Sequence, residues 1–600
     1  MKWPRKIVSS SHFVSLFIVV IFAILAARTL IFQWGYFNMH DDLQMMRQLQ
    51  MEKCFKDGQI PCRWVPDMGY GYGFPLFNFY PPLPYLIGQG IRLIGFSFIN
   101  TVKLNFALSI VVSGVGMYLL AKEFFPPTLK LRRISISLGA IISAVFYIWA
   151  PYHAVDVYVR GAMNEAWALA FLPLIFWAGY KLVISDKKSR KASQRGRQVT
   201  NWIIGLSLAW FALFTSHNLM VLIFIPIFIF WVLIHLWRKN AWSRLPSLLI
   251  SGILSLGLAA FFTLPALAEN KFTQIKGQLV GYYDYTAHFV SLRQLLITRF
   301  WGYGPSVWVE AEDRMSFQIG HVHWILSLAI GGFLAYRIAK IKGNKLDAFK
   351  KDSLLLVTTY LFLVGWFSAF MTHLRSIIIY KTISILGYIQ FPWRFLTIVI
   401  FAFSFIAGAF VLIIKDSKLK LLLSGVLVAS LLFLNWKYFL PEHGKMGALT
   451  DKEKFSGAAW DLQQTAGIYD YLPAGAKMAP TSPQVMLAEI LEGEGVISNE
   501  KQGTNWAEFS VNIESEEALI RLGVFQFPGW KTYVDGQEVK SFVSEDESWG
   551  RIYLSVPKFE HIVRAEFTNT PIRTAGNLIS LFSWGGLFAF LISKANYKKD

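Results

Sequence analysis

"FPWRFLTIVIFAFSFIAGAFVLII", residues 391–414, carries one charged side chain, Arg394, in an otherwise apolar run. Crossing hydrocarbon as a helix takes about 20 such residues, and an average soluble domain has no use for a run of this kind. Eleven more stretches read the same way: 13–33, 103–125, 134–151, 165–183, 202–216, 218–237, 246–266, 321–340, 353–371, 419–440 and 575–593. Composition agrees, with 54% hydrophobic residues, 16% aromatic residues and a mean hydropathy of +0.42 over 600 residues. The expected fold class is therefore an α-helical polytopic membrane protein of about twelve transmembrane helices. The stretch 13–33 follows a basic start, as a signal peptide would. Its apolar core exceeds the about 7–15 residues of a signal core, so it is expected to remain as an anchor.

A net charge of +20 raises the question of nucleic acid, and its distribution answers it. The basic residues gather in short connections: "KLVISDKKSRKASQRGR" (181–197), "WRKNAWSR" (237–244), "RIAKIKGNK" (337–345) and the "KANYKKD" tail. That is the signature of cytoplasmic loops rather than of a nucleic-acid surface. Twelve spans then place both termini in the cytoplasm, in agreement with "MKWPRK" at the start. Five segments fall outside the membrane: 34–102, 152–164, 267–320, 372–390 and 441–572. The last holds 20 of the 38 acidic residues and 11 of the basic ones. Its second half alternates as strands do, and Asp535-Gly536 between "TYV" and "EVKSF" signals a tight hairpin. The expected organisation is a transmembrane domain over 1–440 with a first external loop at 34–102. A C-terminal extracytoplasmic β-sandwich follows over 441–572, and a final helix with a basic cytoplasmic tail over 573–600.

Both cysteines, Cys54 and Cys62, lie in the first external loop, where an oxidising compartment would let them close a small disulfide. Two sulfurs without a paired CxxC are a poor zinc site. The stretch "MGYGYGFPLFNFYPPLPY" (68–85) has glycines in alternation but no strand before it and no Gly-Lys-Ser/Thr after it, so it is not a phosphate loop. Its rings suit an aromatic platform at the headgroup layer.

Chemistry is expected at the outer membrane edge, because the middles of the spans are almost free of ionisable groups. "FNMHDDLQMM" (37–46) puts His40, Asp41 and Asp42 together just past the first span. One aspartate could cap the helix that "LQMMRQLQM" would form. A second acid beside it would then be free to act as a general base or, with its neighbour, to hold a divalent metal such as Mg or Mn. "YHAVDVYVRGAMNEAW" brings Asp156, Arg160 and Glu165 into ten residues, and Arg394 opens its span. Outward arginines at headgroup level can snorkel or can hold a lipid phosphate with two parallel hydrogen bonds. His217 sits in the turn "TSHNL", and "HVH" (321–323) reads more readily as packing than as a metal pair.

Taken together, the acid pair, "GQIPCRWVPDMGYGYGFPLFNFYPPLPY", "YVRGAMNEAWA", "FPWRFL" and "FQFPGWKTYVDGQEVK" resemble bacterial YfhO-like membrane proteins. Some relatives of that group carry the label 6-pyruvoyl-tetrahydropterin synthase-related, although no zinc-site histidine pattern supports pterin chemistry here. The group is in turn similar to the GT-C integral-membrane glycosyltransferases. The resemblance implies a GT-C-like transmembrane fold and transfer of a sugar from a polyprenyl-phosphate carrier to an envelope glycan, lipid or protein acceptor. It makes Asp41 or Asp42 the base or metal ligand and Arg160, Glu165 and Arg394 pocket residues, with the arginines on the donor phosphate; His40, Asp156 and His217 are also expected around the substrate. The cysteine pair departs from the family pattern. From a different class, the alternative is a lipid or polysaccharide transporter or an envelope-assembly scaffold, and a scaffold should tolerate loss of Asp41 and Asp42 together with Arg394. A transporter should also carry a polar path through its spans.

Overall fold

The computed structural model of the chain describes residues 10–131, 134–185, 192–274, 280–307, 314–442 and 449–596. The "MKWPRK" start, the basic run at 186–191 and the last four residues of the "KANYKKD" tail lie outside them. All twelve expected apolar stretches are helical over most of their length. Among the described residues nine helices are long and apolar enough to cross a membrane, and Leu138–Ile148 with Pro151–Val159 makes a tenth as a pair bent by 44°. The other two expected spans fall short. His12–Ala26 ends where Ala27 leaves helical geometry, and only Gln198–Phe214 of the second is apolar, because its first turns are polar.

The chain forms two compact units. The first comprises Met1–Asp42, Ile99–Ser255 and Tyr282–Ala448. Its centre is Leu396–Ala407, in which every residue is buried. That helix can approach Leu138–Ile148 closely because glycines meet at the crossing: a Cβ on Gly408 would lie 2.4 Å from the carbonyl oxygen of Gly139. Ser143 on the same face donates to Phe405 O at 2.9 Å, so a small-residue contact is sealed by a hydrogen bond. Ser417–Tyr438 is the opposite case, apolar yet only 17% buried, with Phe433 84% exposed. An apolar helix left bare in this way suits lipid rather than water.

The second unit comprises Leu43–Phe98, Leu256–Gly281 and Leu449–Asp600. Its strands are β1 (Ala488–Glu492), β2 (Gly495–Gln502), β3 (Trp506–Phe525), β4 (Trp530–Val534), β5 (Gln537–Val539) and β6 (Arg551–Phe567). They run antiparallel in the order β1-β3-β6-β4-β5, with β2 also paired to β3. The expected two-layer sandwich is thus one continuous six-stranded sheet. The reason is length: β3 has 20 residues and can pair β2 over Ala507–Ile513 and β1 over Leu519–Leu522 along a single edge. Shifts of register at Ile513/Glu517 and Arg521/Phe525 bend it against β6. The β4–β5 hairpin is as expected: Val534 pairs Gln537, and Asp535 and Gly536 both take positive φ, at 49° and 79°.

The aromatic stretch at 68–85 is not a headgroup platform. Its rings, with that of Trp64, complete the core of the sheet: Trp64 packs on Trp530 and Phe567, Tyr72 on Phe525, and Phe79 on Phe527. The glycines permit this course. Gly73 has a φ of +85°, and a Cβ there would fall 2.3 Å from the indole nitrogen of Trp64. Beside it the Cys54–Cys62 disulfide is formed, with both residues buried in a cluster that includes Phe74 and Phe77. Gln59 in the bridged loop accepts from the backbone N–H of Arg63 and Trp64 at 2.7 and 2.9 Å, so the loop aims Trp64 at the sheet.

The bridge spans eight positions. On chain-entropy grounds Cys54→Ser/Cys62→Ser should cost about 2.5 kcal/mol in the second unit. Equilibrium unfolding followed by tryptophan fluorescence, with and without reductant, measures it. Reductant should destabilise the wild type and leave the double variant unchanged.

Candidate active site

Tyr152, Asp156 and Arg160 recur every four residues, which puts them on one helical face. The helix widens there into a π turn over Val155–Val159, closed by Arg160 N to Val155 O at 2.8 Å. Such turns often occur at functional sites. Gly161, at φ +60°, then turns the chain into Met163–Ile184, whose first turn carries Glu165. A Cβ on Gly161 would run into Met39, so only glycine lets these segments meet.

Glu165 is the hub. Its side chain is fully buried; Tyr152 donates to Oε1 at 2.7 Å, and Arg160 Nη1 lies 2.7 Å from Oε2. Arg394 Nε stands 3.4 Å and His217 Nε2 3.9 Å from the same oxygen. Arg160 also binds Asp156 Oδ1, while Asp156 Oδ2 has no hydrogen-bond partner among the described residues. The arginines are held from behind. Arg160 lies 4.5 Å over the Trp393 ring, and Arg394 Nη1 donates to Ile389 O at 2.8 Å. His217 caps Asn218–Lys239 by accepting from Met220 N at 3.4 Å. Two carboxyl groups and two guanidiniums thus face one another in one buried cluster, where mutual pairing is what makes buried charge tolerable.

The acid pair approaches this cluster through the main chain. His40 N donates to Val159 O at 3.0 Å and Asp41 N to Arg160 O at 2.9 Å, and the His40 ring meets Tyr303 O at 2.8 Å. The structure thus brings "NMHDD" beside "VYVRG", residues separated by more than a hundred positions. Asp41 and Asp42 stand just before Leu43, the N-cap position of the helix Gln44–Lys56. Among the described residues no three His, Cys, Asp or Glu side chains gather where they could hold an ion.

Other expected residues lie elsewhere. His321 and His323 each meet a different carbonyl, Ile297 O at 3.1 Å and Phe146 O at 3.0 Å, as packing histidines do. A further buried carboxylate, Glu269, belongs to the second unit, where it accepts from Arg573 Nε at 2.9 Å, Asn78 Nδ2 at 2.8 Å and Thr570 Oγ1. Tyr152 and Trp393 were not singled out in the sequence. The four-residue spacing of Tyr152, Asp156 and Arg160 could have found the first, and the immediate neighbour of Arg394 is the second.

No protein-family profile matches the chain. A protein of Lactococcus lactis subsp. cremoris (strain MG1363) described as uncharacterized is 24% identical over 261 residues, 42% of this chain and 40% of that protein. Among solved structures, the apo oligosaccharyltransferase of Archaeoglobus fulgidus gives a TM-score of 0.41 at 13% identity, over 73% of this chain and 56% of that one. The same enzyme tethered to an acceptor peptide with the NVT sequon gives 0.39 at 14% identity, over 73% and 55%. The chain therefore spans about half the length of the proteins it matches.

Removing the hub should leave two guanidiniums facing each other. Glu165→Ala is expected to destabilise the first unit by about 3–5 kcal/mol. Adding Arg394→Met should restore part of that, because the two residues share one interaction. Equilibrium unfolding of the purified variants gives both values, and strictly additive losses would mean that the pair is not coupled.

Proposed function

We propose that the protein is a membrane glycosyltransferase. In this reading it moves a sugar from a polyprenyl-phosphate carrier to an envelope acceptor at the outer face of the cytoplasmic membrane, with both termini inside and 441–572 outside. The observation that carries the reading is the main-chain pairing of His40 and Asp41 with Val159 and Arg160. That pairing runs the segment carrying Asp41 and Asp42 along the main chain of Arg160, whose guanidinium is held by Glu165 and Asp156. The sequence resemblance to YfhO-like and GT-C proteins points the same way.

The chemistry follows from charge. As the bond from the anomeric carbon to the carrier oxygen breaks, negative charge grows on the phosphate, and preorganised guanidiniums stabilise it. The acceptor hydroxyl attacks from the opposite face and gives its proton to Asp41 or Asp42. One bond forms as one breaks, the anomeric centre inverts, and the carrier phosphate leaves with the electron pair. Asp156 and Glu165 act as positioning residues for the arginines.

The test is transfer by purified protein from a panel of labelled polyprenyl-phosphate sugars to an envelope lipid extract, with and without EDTA. Asp41→Asn/Asp42→Asn should lower the rate by about 10²–10⁴-fold, and Arg394→Lys by about 10²-fold or more. Equal turnover by wild type and the aspartate double variant would remove the acids from the reaction. Inactivity of both, with the fold intact, would favour a transporter or scaffold.

A further inference from the structure

A cleft of about 250 Å³ opens on the second unit and borders the sheet's core at Tyr72 and Leu522. Tyr72 comes to it from the glycine-aromatic stretch, Glu489 from β1, Arg521 from β3, and Trp549 and Arg551 from the start of β6. Its aromatic wall is fixed: the rings of Tyr72 and Trp549 lie 5.6 Å apart, and the Arg551 guanidinium is 4.5 Å over Trp549.

The polar groups are equally constrained. Glu547, 4% exposed, receives Arg551 Nε at 3.0 Å and Nη2 at 3.1 Å in a two-pronged pair, as well as Trp549 N at 2.8 Å and the Tyr553 hydroxyl. Burial would push its carboxyl up, but these donors prevail and hold it below the usual carboxylate range. Arg521 pairs with Glu489. At the floor Gly523 lets the backbone of Met486 pack close, because a Cβ there would lie 2.5 Å from Met486 O.

We infer that this cleft binds an uncharged pyranose unit. A sugar ring offers an apolar C–H face and a rim of hydroxyls that both donate and accept. The matching site has an aromatic wall, guanidinium donors from Arg521 and Arg551 and the Glu489 carboxylate as acceptor, with side chains already held by the Arg521–Glu489 and Arg551–Glu547 pairs, which lowers the ordering cost of binding. Two arginines cancel two glutamates, so neither a phosphate nor an ammonium group finds an uncompensated partner. The volume lies below the about 300–1,000 Å³ of sites for larger ligands, and a single ring suits it.

The experiment is saturation-transfer NMR on the full chain in lipid nanodiscs, since maltoside detergents would themselves present the ligand. The probes are methyl glycosides of glucose, galactose, mannose and N-acetylglucosamine. At least one should show saturation of its ring protons with millimolar affinity. Trp549→Ala should weaken it at least tenfold. Glu489→Gln, a substitution at a side chain 38% exposed, should weaken it severalfold without threatening the fold. No transfer to any probe on wild type, or unchanged binding by both variants, would overturn the site. The readout is equilibrium binding, so it succeeds or fails independently of any transfer reaction at Glu165.

Discussion

A carboxylate without water must be answered by donors and counter-charge inside the protein, and the layout of the first unit follows from how Glu165 is answered. Tyr152 and Arg160 can reach it only if the chain before it widens into the π turn at Val155–Val159 and reverses at Gly161. Arg394 can reach it only from the start of the central helix, where Trp393 also supports Arg160. The free carbonyls of Val159 and Arg160 then receive His40 and Asp41. A buried ion cluster is weak as a source of stability when compared with apolar packing, yet expensive to leave half-made. Its use here is placement: one residue fixes the course of four segments.

The second unit solves a different problem by the same kind of sharing. A single sheet has two faces, and one must be covered. Trp64, Tyr72 and Phe79 cover part of it from a loop far away in the chain. Nearby, Glu269 joins Asn78, Thr570 and Arg573, tying the loop and two helix ends to one carboxylate. In both units a single acid collects partners from segments that local sequence does not connect.

This explains which features could be read in advance. Hydropathy dictates helices one stretch at a time, so all twelve apolar runs were visible, while their lengths at Ala27 and before Gln198 and the 44° bend between Ile148 and Pro151 needed the structure. Asp535-Gly536 and the Cys54–Cys62 pair are equally local. The sandwich expectation failed because alternation reveals a strand but not which edge it pairs, and β3 is long enough to accept two partners in line. The glycines at 69, 71 and 73 marked an unusual backbone, while the destination of the neighbouring rings depended on strands some 450 residues later. Within the site, Asp156, Arg160, Glu165, His217 and Arg394 were legible as residue types at one membrane edge. That Glu165 would be the common partner was not, because three of its contacts come from three separate stretches.

The covering of the sheet by Trp64 also sets a schedule for biogenesis. Trp64 leaves the ribosome about 500 residues ahead of Phe567, its partner in the core. At synthesis rates of about 5–20 residues per second that gap lasts roughly 25–100 s. Through that interval the bridged loop has no sheet to pack against, while Cys54 and Cys62 are already close in sequence and able to join. The newly made chain must therefore keep a cluster of bare aromatic rings from wandering until its last strand arrives, a task for the membrane surface or for a folding helper.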